Sequence, residues 1–214
     1  MTGSTEAIQR VLSEARVSTY LAASRDIDHA LELYLWNAEI SAAFMVPLHI
    51  CEVALRNGVS DVLTSVYGEE WPRSQGFIRS LANPQRGFNP TAELTTTANR
   101  FPTTGKVIPE LKFVFWQRLF TRRYDGRLWN PHLFEAFPHL DDGKSAREQR
   151  RALYESLETV RKLRNRIAHH EPIFSRDLAS DLDTVCGLIA VRCGETENWL
   201  RAREKVTGLL GERP

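Results

Sequence analysis

From Asp26 to about Val66 the chain reads DIDHALELYLWNAEISAAFMVPLHICEVALRNGVSDVLTSV, and no other stretch constrains the fold as strongly. Leu31, Leu33, Tyr34, Leu35 and Trp36 fall on more than one helical face. A helix that is apolar on several sides has to be surrounded by other elements, so this one is expected at the centre of the molecule. Asp26 is placed to cap its first turn. Pro47 is expected to kink or split it, and Gly58 to weaken it further along.

The second organising run is Ser145 to His169, which has no Gly or Pro and is rich in Arg, Glu, Leu and Ala. Leu153, Leu157, Val160 and Ile167 recur at helical steps and define one apolar face. Arg164 is four residues after Val160 and three before Ile167, which puts it on that apolar stripe. A guanidinium there keeps its proton and must meet a carboxylate, a subunit boundary or a phosphate. Pro172 pushes Glu171 out of the helical region, so the last turn should close near His169 or His170. On an ideal helix five residues at about 100° each leave His169 roughly 140° around from Arg164. The two side chains then meet only if the last turn unwinds or if the His meets the Arg of a second chain.

Elsewhere the pattern is also helical. Thr5 to about Ser24 reads as one or two short helices. Val107 to Arg123 reads as one strong helix with Pro109 in its first turn. Asp177 opens a helix to about Cys193, and a last one is expected from Glu195 to Leu210. No strand pattern or internal repeat is visible, so the expected class is all-α. Residues 68–105 hold Pro72, Pro84, Pro90 and Pro102 and read as an irregular inserted lid or loop, with short helices near Phe77 to Ala82 and Thr91 to Arg100.

A length of 214 residues suits a single domain, 1–214, with that insertion. At 42% hydrophobic and 26% charged residues, the composition is that of an ordinary soluble globular chain, and a net charge of +1 confines any basic surface to a local patch. No unbroken apolar run reaches membrane-spanning length, and the first residues lack the regions of a signal peptide. Three cysteines, Cys51, Cys186 and Cys193, make no disulfide framework. The last two lie about 10 Å apart on a helix, too far to bridge. A reducing cytoplasm and no membrane are the expectation.

The chemistry concentrates in Leu163-Arg164-Asn165-Arg166-Ile167-Ala168-His169-His170-Glu171-Pro172. RNA can be cut without a metal because its own 2′-OH is the nucleophile. A His of ordinary pKa, about 6.5, can move a proton, and a positioned Arg can stabilise charge on phosphorus. Arg164, Asn165 and His169 are the candidate catalytic residues, and His170 also fits the spacing. Glu52 and Arg56 stand at i,i+4 in the favoured order for an ion pair. They make either a plain surface or semi-buried bridge or a support in which Glu52 orients a catalytic Arg or His, or Arg56 contacts phosphate. Lys112, Arg118, Arg122 and Arg123, with Arg161, Lys162 and Arg166 on the motif helix, are weaker candidates for RNA phosphate. Phe113 and Trp116 could stack bases but at helical spacing read first as core. Capping of a helix C-terminus is the plain alternative for the motif as a whole. His169, His170, Glu171, His132 and His139 do not have the spacing of a metal site, and neither a metal nor another cofactor is expected.

An Arg, a polar residue and a His five positions after the Arg, at a helix end, resemble the R-x(4–6)-H motif of HEPN domains. The wording RNRIAHHEPI resembles the Abi-like (abortive-infection) branch of that superfamily, which is also similar in carrying an E-x-x-x-R-N such as Glu52, Arg56 and Asn57. The resemblance covers roughly Leu12 to Leu188, with its specific wording at residues 52–57 and 163–173. It implies a helical bundle built around long antiparallel helices. It also implies a metal-independent endoribonuclease, acting in phage defence or as a toxin, that leaves 2′,3′-cyclic phosphate and 5′-OH ends. The implied partners are an RNA such as tRNA, a second copy in a homodimer or higher homo-oligomer that pairs two motifs, and a neutralising protein or RNA. The competing expectation is a HEPN module that binds RNA or a partner protein without catalysis.

Overall fold

The computed structural model describes residues 2–214. They form an all-helical fold with no strand among the described residues. Its axis is α3, Ile27–Tyr67, preceded by α1 (Thr2–Leu12) and α2 (Glu14–Leu21). Asp26 caps α3 as expected, its carboxylate accepting from the His29 N–H at 2.8 Å. Pro47 does not split the helix, which runs on for 41 residues. The missing N–H and ring clash of an interior proline cost about 3 kcal/mol. Here Phe44, Pro47, Leu48 and Cys51 are all buried, and their packing offsets that cost.

By length and composition α3 could cross a membrane: its most apolar window has a mean hydropathy of 1.5. Within this fold its apolar positions divide: Leu35, Met45, Val46 and Val53 are exposed, and others serve the core. Leu33, Trp36, Ile40, Phe44, Leu55, Val59 and Leu63 are buried against neighbouring helices.

The motif helix is α9, Ala146–Ala168; its predecessors are α4 (Gln75–Ser80), α5 (Pro90–Arg100), α6 (Thr104–Val107), α7 (Phe113–Leu119) and α8 (Asn130–Ala136). It starts at a reciprocal cap in which the Ser145 hydroxyl accepts from the Glu148 N–H while the Glu148 carboxylate accepts from the Ser145 N–H. Leu153, Leu157, Val160, Leu163 and Ile167 are buried, so the predicted stripe is real. Arg164 is not on it. Leu163 holds that position, and Arg164 stands beside it with 41% of its side chain exposed. At the other end Arg150 is buried, with a forked pair to Asp125 (2.8 and 3.3 Å) and a bond to the Phe120 carbonyl at 3.1 Å.

Two contacts set the direction of α9 against α3. Arg164 meets Glu52, while the Ile173 and Phe174 N–H groups, nine and ten residues later, donate to Oδ1 of Asn37 at 2.8 and 3.1 Å. One chain advances as the other retreats, so the two helices are antiparallel. After α9 come α10 (Leu178–Ala190), α11 (Gly194–Arg201) and α12 (Val206–Gly211). The α10 helix turns back beside α3, and Arg192 just beyond it reaches Asp61 at 2.6 Å.

Three expectations need correction. The predicted helix at 107–123 is broken into α6, a 3-10 turn at Ile108–Glu110, α7 and a further turn at Arg122–Tyr124, because Leu111 and Lys112 are extended. The predicted last helix is two helices, α11 and α12. Residues 68–105 are not irregular throughout. Helices occur where expected, at α4 and α5, and Trp71, Phe77 and Leu94 are fully buried in the same core as α3 and α9. Pro and Asn in this stretch mark helix starts: Asn89 caps α5 ahead of Pro90, and its side chain accepts from the Ala92 N–H at 3.0 Å.

Candidate functional site

The side chains that converge come from the middle of α3 and the last turns of α9. Glu52 and Arg56 share a face of α3 and form the expected ion pair. The same carboxylate also receives Arg164, whose Nε lies 3.5 Å from Oε2 of Glu52. One carboxylate therefore stands between two guanidiniums from antiparallel helices. Glu52 and Arg56 are each 16% exposed at the side chain, so the pair is shielded, while Arg164 stays open to solvent. Arg56 also donates to the Pro109 carbonyl at 3.3 Å, and its Nε–H is buried without a hydrogen-bond partner. The trio carries one surplus positive charge and unused N–H donors, an arrangement suited to an anion.

This trio lines a cleft of about 300 Å³ together with Met45, Leu48, His49, Val53 and Ala168. His49 was not among the residues singled out from the sequence. The signal was there: 49, 52, 53 and 56 recur at helical steps, so His49 lies on the Glu52 face. It was masked by its apolar neighbours, which make this part of α3 read as core.

Asn165 is half-buried and joins Arg56, Arg161, Arg164 and Lys112 around a second cavity on the other flank. His169 is not brought into either cavity. It caps α9, its N–H donating to the Asn165 carbonyl at 3.0 Å, and its ring is exposed. The last turn stays wound, so the angular separation read from the spacing persists within one chain.

The turn itself is a left-handed helix stop. The His170 N–H donates to the Ile167 carbonyl at 3.0 Å, and the Glu171 N–H to that of Arg166 at 2.8 Å. His170 has φ 54°, where glycine is the usual residue. Arg16 of α2 donates to the His170 carbonyl at 2.5 Å, and Asn37 of α3 holds residues 173 and 174. The plain capping role of these residues is therefore present beside any chemical one. His170 lines a cavity of about 410 Å³ with Arg16, Tyr20, Tyr34 and Asn37.

The weaker candidates divide. Lys112 and Arg161 share the second cavity with Arg164. Arg161 is fixed by two bonds to Glu158, and that carboxyl is pulled down to about 2, first by Arg161 and further by Gln117. Lys162 lies 3.8 Å from the same carboxylate, and Arg166 lies 3.6 Å from Glu171. Arg123 is committed elsewhere, donating to the Ser80 and Leu81 carbonyls at 2.6 and 3.3 Å. Arg118 and Arg122 are exposed and line neither cavity. Phe113 and Trp116 are buried, so neither can offer its face to a base. Among the described residues, no three His, Cys, Asp or Glu side chains gather as metal ligands. The thiols of Cys51 and Cys186 are pushed up by burial, to about 12 and about 11, and are inert near neutral pH. No family model, curated protein or solved structure matches the chain.

Proposed function

We propose that this chain is a metal-independent endoribonuclease of the HEPN type, of the Abi-like kind. It would act in the cytoplasm in phage defence or as a toxin and leave 2′,3′-cyclic phosphate and 5′-OH ends. One observation carries this reading: Arg164 and Arg56 converge on Glu52 at an open cleft, and Asn165 and the two-histidine turn lie at the end of the same helix. Glu52 and Arg56 then support the site, and Arg164 is the group that grips a phosphodiester. His169 lies outside the cleft of its own chain, so the reading requires a homodimer in which the imidazole of one protomer serves the guanidinium of the other. Exposed Met45, Val46 and Val53, all on α3 beside His49, offer an apolar surface for such pairing.

The second reading is a HEPN module that binds RNA or a partner protein without cutting. The position of His169 and the net charge of +1 favour it. Induced expression decides between the two. Wild type should arrest growth and generate RNA 5′-OH ends in the presence of EDTA, with cleavage falling roughly 10²–10⁴-fold in His169→Ala. Arg164→Ala should be silent as well. Equal behaviour of all three proteins, or activity that depends on added Mg²⁺, rejects the enzyme. If His49→Ala is silent and His169→Ala is active, the chemistry belongs to the cleft of a single chain.

A further inference from the structure

The second cavity beside Arg164 has a volume of about 480 Å³ and runs between α3, α7 and α9. Its lining differs from that of the Glu52 cleft. Arg164, Asn165, Arg161 and Lys112 line it, and Phe88 comes from the stretch before α5. The volume falls in the range of roughly 300–1,000 Å³ typical of small-ligand pockets and is too small for a duplex.

Phe88 is held in place by its loop. Gly87 before it has φ +78°, a left-handed conformation that L side chains rarely adopt. Asn89 after it caps α5 and ties the loop shut, donating to Oδ1 of Asn83 at 2.6 Å and to the Pro84 carbonyl at 3.1 Å. The ring is only half-buried, whereas Phe77, Phe113, Phe115 and Trp116 nearby in the fold are fully packed.

The charges around the groove are fixed rather than loose. Lys112 reaches Glu93 at 3.0 Å, Arg161 is clamped by Glu158, and Glu110 adds one further carboxylate to the lining. The free donors are therefore directional. Arg164 uses only its Nε toward Glu52, which leaves both terminal nitrogens as a fork for phosphate. A half-buried aromatic ring, a guanidinium fork and an amide lining one groove are the complement of one unpaired nucleotide: base on ring, phosphate on Arg.

We propose that this groove seats the nucleotide next to the scissile phosphate of single-stranded RNA, its base against Phe88 and its phosphate toward Arg164 and Asn165. The proposal rests on the ribonuclease reading and adds the strand state of the substrate and the residue that selects it. A base already stacked in a duplex cannot reach Phe88, so unpaired loops and ends are preferred.

The test uses the full chain and a fluorescent ten-nucleotide 2′-O-methyl RNA, which cannot cyclise, offered single-stranded and as a duplex. Anisotropy titrations of the wild type should show tighter binding of the single strand. Phe88→Leu keeps the apolar volume and removes the π face, and should weaken single-strand binding roughly tenfold, in keeping with the loss of one base stack. Phe88→Trp should restore it. Arg164→Gln should weaken binding and lower the salt dependence by about one phosphate contact. Single-strand affinity unchanged in Phe88→Leu, or a preference for duplex, overturns the groove and leaves the ribonuclease reading standing. No binding of either form by wild type overturns both.

Discussion

At His170 the backbone is left-handed, with φ 54°, and the residue is not glycine. An L residue in that conformation costs about 1–2 kcal/mol. The turn keeps it because three contacts determine its path: Arg16 on the His170 carbonyl, and Asn37 on the N–H groups of residues 173 and 174. His170→Gly should therefore raise stability by about 1 kcal/mol in urea unfolding, since every one of those bonds uses backbone atoms. The same variant should keep cleavage if His169 is the acting imidazole. A comparable loss of stability would show instead that the His170 ring contributes packing in the cavity beside Tyr20 and Tyr34. At this scale the sequence showed the residue types and their spacing. It could not show that Arg164 leaves the apolar stripe, because Leu163 and Arg164 are neighbours and a small rotation of α9 decides which one is buried.

At the scale of elements, α3 and α9 each form one long unbroken helix, and two changes probe them. Gly58 lies in the interior of α3, where a Cβ would meet Phe137 ring atoms at 3.5 Å, an ordinary contact. Gly58→Ala should stabilise the protein by about 1 kcal/mol, by helix propensity and a less flexible unfolded chain. Thermal unfolding measures it, and a fall in melting temperature would mean that the added methyl disturbs the packing of Phe137 against α3. The second probe is Glu158, which joins α9 to α7 through Gln117 at 2.7 Å. Its folded value, about 2, is depressed below the usual glutamate value of about 4.3. The stabilisation it brings is complete above the unfolded value and is lost as pH falls from there toward 2. Wild type should lose stability across that acid window more steeply than Glu158→Gln, and parallel curves from urea melts at stepped pH would reject this. The helices predicted at 107–123 and 195–210 break because local periodicity says where a helix can form. Whether Lys112 stays helical or turns extended depends on where Phe113, Phe115 and Leu111 find their core neighbours.

For the whole molecule, the proposed chemistry depends on a second chain. Arg164→Ala and His169→Ala proteins should each be inactive alone. When mixed, they should regain cleavage, because a mixed dimer still holds one guanidinium and one imidazole across the interface. The specific activity of wild type should fall on dilution as dimers dissociate. A monomer that is fully active at the lowest concentrations, with no recovery on mixing, would remove pairing from the reading and leave His49 as the imidazole that shares a cleft with Arg164.

From the amino-acid sequence came the all-helical class, the long central helix with its Asp26 cap, the stop after the motif and the Glu52–Arg56 pair. These are local properties: periodicity, capping and i,i+4 spacing act over a few residues and need no distant partner. Only the tertiary structure decided that Arg164 joins that pair, that His49 faces the same cleft, that residues 68–105 belong to the core and that Phe88 overlooks a groove. The physical reason is distance along the chain. Arg164 and Glu52 meet because antiparallel packing of two buried stripes brings them into register, and no short-range pattern in either helix records the rotation and offset at which the stripes interlock.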